Sequence, residues 1–340
     1  MVGLRRTNQN KIKMDKYFIL KCLRKVYGKI FSHKCTVDFV EKEPDKASEM
    51  IYNLLKQDKP CMIARFGAFE LATLVNYLGV SAKHHSAWKY IKGEQPQWWW
   101  NDKLMTSMQN NAGFFPATPE KLLRFGQLMM SDIHELDLLG SWLENEVWLT
   151  SELHHTQKVH IRLLEPFWAK TPWTRFLKGK RIVVVHPFVE DINSQYENNR
   201  KLLFDNPDTL PEFASLRLVR AVQSIGGDDN GFNDWFEALQ WMKDEIDKEE
   251  YDVCLIGCGA YGFPLAAHVK RTGRQAIHLG GALQLLFGIK GKRWEKPNYG
   301  VKEWGIPQGY YLSLMNEHWI RPGDAFKPQK AENVENGCYW

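Results

Sequence analysis

From residue 46 onward, short apolar runs alternate with stretches whose apolar residues recur every three or four positions. Residues 48–56 carry the helical spacing, and 60–64 (Pro-Cys-Met-Ile-Ala) follow as a short buried strand. Residues 70–78 predict a helix that stops at Gly79, because glycine commonly follows the last helical residue. The Leu-, Met- and Trp-rich stretch 120–148 predicts one long helix. Ile182-Val183-Val184-Val185 is apolar throughout, the pattern of a strand buried on both faces of a parallel sheet. Residues 234–248 predict an amphipathic helix through Trp235, Ala238, Leu239, Met242 and Ile246. A strand at 252–256, a glycine-rich turn, a helix at 264–270 and a strand at 275–279 complete a βαβ unit. The expectation is an α/β fold on a mainly parallel sheet.

The same periodicity appears once before the body. Ile19, Cys22, Leu23, Val26, Tyr27 and Ile30 lie at helical spacing among Lys16, Lys21, Arg24, Lys25 and Lys29. Such a basic amphipathic helix either lies on an anionic membrane surface or docks its apolar stripe on the body. Residues 1–30 hold nine Lys or Arg against Asp15 alone, a net +8, so the other 310 residues net −3. A body without basic excess is not expected to bind nucleic acid. Lys21 interrupts the apolar run 17–20, so the start does not read as a signal peptide. No apolar run is long enough to predict a bilayer-spanning helix. The expected organisation is a basic segment at 1–45 and one domain at 46–340 in the cytoplasm, with or without peripheral attachment to the inner face of the plasma membrane.

Composition narrows the class. With 44% hydrophobic and 25% charged residues, and 25 Gly and 15 Pro spread along the chain, collagen, low-complexity disorder and disulfide scaffolds are excluded. The six cysteines form no CxxC pair and no zinc spacing, which suits idle thiols in a reducing compartment. Fourteen tryptophans, including Trp98-Trp99-Trp100, serve cores and interfaces and can also stack on ligand rings.

Two segments carry candidate chemistry. Gly257-Cys258-Gly259-Ala260-Tyr261-Gly262 matches GxGxxG between a predicted strand and a predicted helix, where glycines let the backbone approach a phosphate. A dinucleotide site also wants an acidic residue about 20 positions on. None occurs from Phe263 to Lys292, which counts against NAD. Gly280-Gly281 offers a second close-approach point after the next strand. In Arg65-Phe66-Gly67-Ala68-Phe69-Glu70, the Arg can clamp phosphate, and the Glu can hold a divalent cation or a sugar hydroxyl. An Arg65–Glu70 ion pair is the structural alternative.

Several of these segments resemble a family of bacterial glycosyltransferases of the GT-D fold. The matching stretches are Ala64-Arg65-Phe66-Gly67 with Glu70-Leu71, Pro172-Trp173-Thr174 with Leu177-Lys178-Gly179-Lys180, and Val185-His186-Pro187-Phe188 with Ile192 and Gln195. They continue through Ile256 to Gly262, Leu279 to Gln284, Phe287-Gly288-Ile289, Gly291 to Trp294, and the terminal 335–340. The likeness spans about residues 46–340 and is densest over 252–294. It implies a Rossmann-like body that moves a sugar from a nucleotide-sugar, most often a UDP-sugar, to a growing cell-surface glycan. It implies donor contacts from Arg65, Gly67, Gly257, Gly259, Tyr261, Gly262, Gly280, Gly281 and Gln284.

The family's metal motif is Asp-x-Glu. Glu70 matches its Glu, but Ala68 stands where the Asp would be. A single carboxylate holds Mg²⁺ or Mn²⁺ more weakly, and Arg65 can stabilise the diphosphate instead. His186, after the 182–185 strand, is the candidate base, with Glu190 and Asp191 close behind; Tyr261 and Trp294 are candidates for stacking on the donor. The competing classes are a nucleotide-sugar-binding module without activity, which Ala68 favours, and an NAD-dependent oxidoreductase.

Overall fold

The computed structural model describes residues 17–31, 40–323 and 339. Residues 1–16 of the basic segment, and the 335–340 motif apart from Tyr339, lie outside them. Among the described residues one sheet forms from β1 (Cys61–Ala64), β2 (Leu138–Ser141), β3 (Gln157–His160), β4 (Arg181–His186), β5 (Ser215–Arg220), β6 (Val253–Ile256) and β7 (Gln275–His278). Its order is β3-β2-β1-β7-β6-β4-β5. Every pairing is parallel. The helices named below are α1 (Phe18–Ile30), α2 (Pro44–Lys56), α3 (Ala68–Val80), α4 (Ala87–Lys92), α5 (Asp102–Ala112), α6 (Pro119–Ile133), α7 (Val189–Asn199), α8 (Trp235–Asp247), α9 (Gly262–Arg271) and α10 (Leu283–Leu286).

Apolar strands are possible here because both faces of the sheet are covered. Met62, Ala64, Val183, Val185, Cys254 and Ile256 join residues of α3, α5, α6, α8 and α9 in one core. Cys61, Ile63, Ile182, Val184, Val253 and Leu255 join α2, α7 and α10 in the other. The fold is α/β and Rossmann-like, with the sheet as a wall between two apolar layers. The described cysteines are free, and Cys61, Cys254 and Cys258 are buried.

Two expectations need correction. The helix predicted over 120–148 ends at Ile133; β2 follows, and then a 3₁₀ turn at Glu144–Leu149. A four-residue apolar run has no measurable period, so Leu138 and Leu139 merged with the helical pattern before them. The Asp137 carboxylate marks the break by accepting the Met62 N–H at 2.8 Å, which holds β2 beside β1. Gly79 is not a helix stop. It lies inside α3, where a Cβ would come within 2.1 Å of the Gln97 carbonyl oxygen.

Helix α1 forms where the periodicity places it, but it docks mainly by the face opposite the stripe, with Tyr27 at the margin between the two. Tyr17 stacks on Trp99 at 3.8 Å, Arg24 donates to the Gln95 carbonyl at 3.0 Å, and Tyr27 meets Trp88 edge-on at 6.1 Å. The tryptophan triplet thus supplies part of the seat of this helix. Ile19, Leu23, Val26 and Ile30 stay exposed.

Candidate functional site

The strands are parallel, so their carboxyl ends share one edge, and the segments leaving six of the seven converge there on a single cleft. The segment after β1 contributes Arg65 and Gly67 to Glu70, and that after β2 contributes Trp142. Strand β4 ends in His186, with Pro187 and Phe188 beyond. The β5 exit gives Ala221 to Ile225; the turns after β6 and β7 give Gly257 to Gly259 with Tyr261, and Gly280, Gly281 and Gln284. Arg293 and Tyr339 close one wall, and Asn111 to Gly113 close another. Ligands of open α/β sheets bind at this edge.

The glycines do different work. Gly257 is wedged where a Cβ would lie 2.8 Å from both the Gly280 carbonyl oxygen and His186. Gly259 has φ +57°, and a Cβ there would meet nothing closer than the Ala112 carbonyl at 3.7 Å, so backbone conformation is its requirement. Gly280 (φ +64°) faces the Arg65 side chain, and Gly281 lies under the Tyr339 ring. Gly67 leaves room for the Glu70 carboxylate, which folds back onto it. Gly262, grouped above with the donor contacts, does not line the cleft. A Cβ there would run into the His278 ring at 2.0 Å, so the third glycine of the motif serves packing between α9 and β7.

Arg65 is half-buried beside Trp142, its guanidinium 5.3 Å from the indole. Burial lowers its pKa from the ordinary value; Glu70 and Tyr339 oppose that shift, and Arg293 adds to it. The Arg293 guanidinium sits 4.4 Å from the Tyr339 ring. Two cations on one small cleft favour an anionic occupant, which would relieve their desolvation. Glu70 is buried and, among the described residues, is the one carboxylate lining this cleft. Hard divalent cations draw on several oxygen ligands. Among the described residues no group of three or more His, Cys, Asp or Glu could hold a metal. Among the described residues the donor set of the cleft suits an anion and offers a divalent cation a single carboxylate.

His186 is buried, and its Nδ1 accepts the Phe188 N–H at 3.0 Å. Burial pushes its pKa down to about 3. The ring is therefore neutral near pH 7 with its proton on Nε2, which donates and cannot take up a proton as a base. Tyr261 is also a wall. One ring face is stacked on Trp235 at 5.0 Å, and its hydroxyl meets Ser224 Oγ at 2.6 Å, which in turn donates to the Gly113 carbonyl. Trp294 is buried outside this cleft and packs near Tyr299 and Tyr339. Gln284 donates its amide N–H groups to the carbonyls of Ile289, Lys290 and Tyr339, while its buried Oε1 has no partner among the described residues.

Among the described residues the cleft is lined by the aromatic rings of Phe69, Phe188, Tyr261, Tyr339 and Trp142, and the most exposed of them is Trp142. It is 37% exposed, with its Nε1–H donating to the Phe66 carbonyl at 3.1 Å. The sequence reading missed it because it missed β2; a strand ending at Ser141 would have put Trp142 at the binding edge. Ser224 and Gln223 were missed with β5 for the same reason. Arg293 lies within the matched motifs, where no spacing marks it as a cleft residue.

Beside the cleft lies a second, smaller chamber that shares Arg65, Trp142, Gly281, Arg293 and Tyr339 with it and adds Arg162, Glu165 and Trp304. Glu165 is buried and accepts from Trp168 Nε1 at 2.7 Å and Tyr311 O–H at 2.9 Å; burial raises its pKa to about 7.

No family model matches the chain, and no curated protein matches it. A solved structure described as a selenomethionine-substituted domain of unknown function 1792 (DUF1792) aligns over 89% of this chain and all of that one. The identity is 11% and the TM-score 0.37, a level of likeness that bears on neither activity nor substrate.

Proposed function

We propose that the protein is a glycosyltransferase that takes a sugar from a nucleotide-sugar, a UDP-sugar in the first instance, and passes it to a hydroxyl of a growing glycan. The observation that carries this reading is the convergence of Arg65, Arg293 and the Gly257–Gly259 turn on one cleft with a single carboxylate. Arg65 and Arg293 neutralise the leaving diphosphate, the backbone at Gly257 and Gly280 allows its close approach, and Trp142 stacks on a flat or apolar face of the donor. The bond from sugar C1 to the diphosphate oxygen breaks with its electron pair going to that oxygen. The acceptor hydroxyl oxygen bonds C1, and its proton passes to Glu70. His186 donates a hydrogen bond from Nε2 rather than acting as the base. No step is routed through a metal.

An oxidoreductase reading has less support. The first strand after the glycine turn ends in buried, neutral His278, where a ribose-binding carboxylate would stand. Calorimetric titration with UDP and with NAD⁺ separates the two readings. UDP binding with no heat from NAD⁺ is expected; NAD⁺ binding alone would overturn the proposal.

A further inference from the structure

Helix α1 presents an apolar stripe that nothing in the described structure covers. Ile19 is 72% exposed, Ile30 67% and Val26 55%, with Leu23 and Phe18 also exposed. Trp88 of α4, 59% exposed and edge-on to Tyr27, extends the patch onto the body. A contiguous apolar surface of this kind marks an interaction site. Its charge identifies the occupant. Phe18–Ile30 holds Lys21, Arg24, Lys25 and Lys29 and no acidic residue. Lys21 and Arg24 are engaged with Trp99, Tyr90 and the Gln95 carbonyl, and they hold the helix to the body. Lys25 and Lys29 remain exposed beside the stripe, and α4 adds exposed Lys89.

We propose that this face lies flat on an anionic phospholipid bilayer, with Ile19, Leu23, Val26 and Ile30 in the interfacial region and Lys25 and Lys29 against lipid phosphates. Two copies of the chain meeting here would oppose like charges with no acid on either helix to pair them; an anionic lipid surface is complementary. Thirteen residues make a helix about 20 Å long, so it rests in the plane of the membrane. No described helix is long and apolar enough to cross one. The inference stands independently of the chemistry in the cleft.

The test is flotation of the full chain with phosphatidylcholine vesicles, with and without phosphatidylglycerol. The protein should float with the anionic vesicles only, and less so as salt rises. Ile19→Ser/Leu23→Ser/Val26→Ser and Lys25→Glu/Lys29→Glu should each reduce binding about tenfold or more. Both should melt as the parent does, because α1 buries no residue. Equal flotation by the parent and both variants, or no flotation by the parent, would overturn the proposal. So would a dimer that the triple variant dissociates.

Discussion

At the scale of single residues, the side chains that matter are those whose surroundings leave them incompletely satisfied. Arg65 keeps its guanidinium half-buried with its pKa lowered, and Gln284 Oε1 is buried without a partner. An anion in the cleft would offset the burial of Arg65. Trp142 differs, since it is exposed and supported from behind by its bond to the Phe66 carbonyl. Stacking on a base or sugar is worth about 1–3 kcal/mol. Trp142→Ala should therefore weaken UDP affinity about tenfold with little change in melting temperature. Calorimetry on the two proteins checks this, and unchanged affinity would remove Trp142 from the donor site.

At the scale of elements, the glycine turn between β6 and α9 joins two functions in six residues. Gly259 supplies a left-handed backbone at the cleft, whereas Gly262 lets α9 press against the ring of His278 on β7. Gly262→Ala should destabilise the protein by about 2 kcal/mol through overpacking, read as a lower urea midpoint. Gly259→Ala makes only an ordinary contact with the Ala112 carbonyl, so the backbone cost of about 1–2 kcal/mol is all that is expected. A Gly262→Ala protein as stable as the parent would contradict the packing role. The interior strands β1, β4 and β6 were legible because a strand buried on both faces is a nearly unbroken apolar run, and β7 (Gln-Ala-Ile-His) because it completes the βαβ pattern after the glycine turn. The edge strands were not. β5 (Ser-Leu-Arg-Leu-Val-Arg) leaves most of its residues partly exposed, β3 (Gln-Lys-Val-His) carries polar residues, and both look like loop. β2 hid behind α6. The site was legible where its residues border the readable strands, as with Arg65, Glu70 and Gly257. It was dark at Trp142 and Ser224, where the strand itself was missed. Side-chain roles such as the Nε2 tautomer of His186 depend on a bond to Phe188 that no spacing announces.

At the scale of the whole molecule, burial has placed neutral imidazoles in the fold. His186 and His278 are pushed down to about 3 and His160 to about 4, against about 6.5 in the unfolded chain. The unfolded chain binds more protons across that window, so stability is full above pH 6.5 and falls as pH drops towards 3. Glu165, raised to about 7, opposes this. Its folded form holds a proton that the unfolded form releases above about 4.5, so its burial costs most above pH 7. Asp132, raised to about 6 by burial, opposes it in the same way. Three histidines outweigh two carboxyls, and urea midpoints measured across pH should decline steadily below 6.5. A midpoint that stays flat to pH 3 would contradict the buried neutral assignments. In the proposed reaction the cleft holds a nucleoside diphosphate through its arginines rather than through a metal. Titration of the parent and Arg65→Ala with UDP, each with and without Mn²⁺, tests it most directly. Parent binding should be unchanged by Mn²⁺ and weakened about tenfold or more by Arg65→Ala. Binding that requires Mn²⁺, or that survives the loss of Arg65 intact, would contradict it.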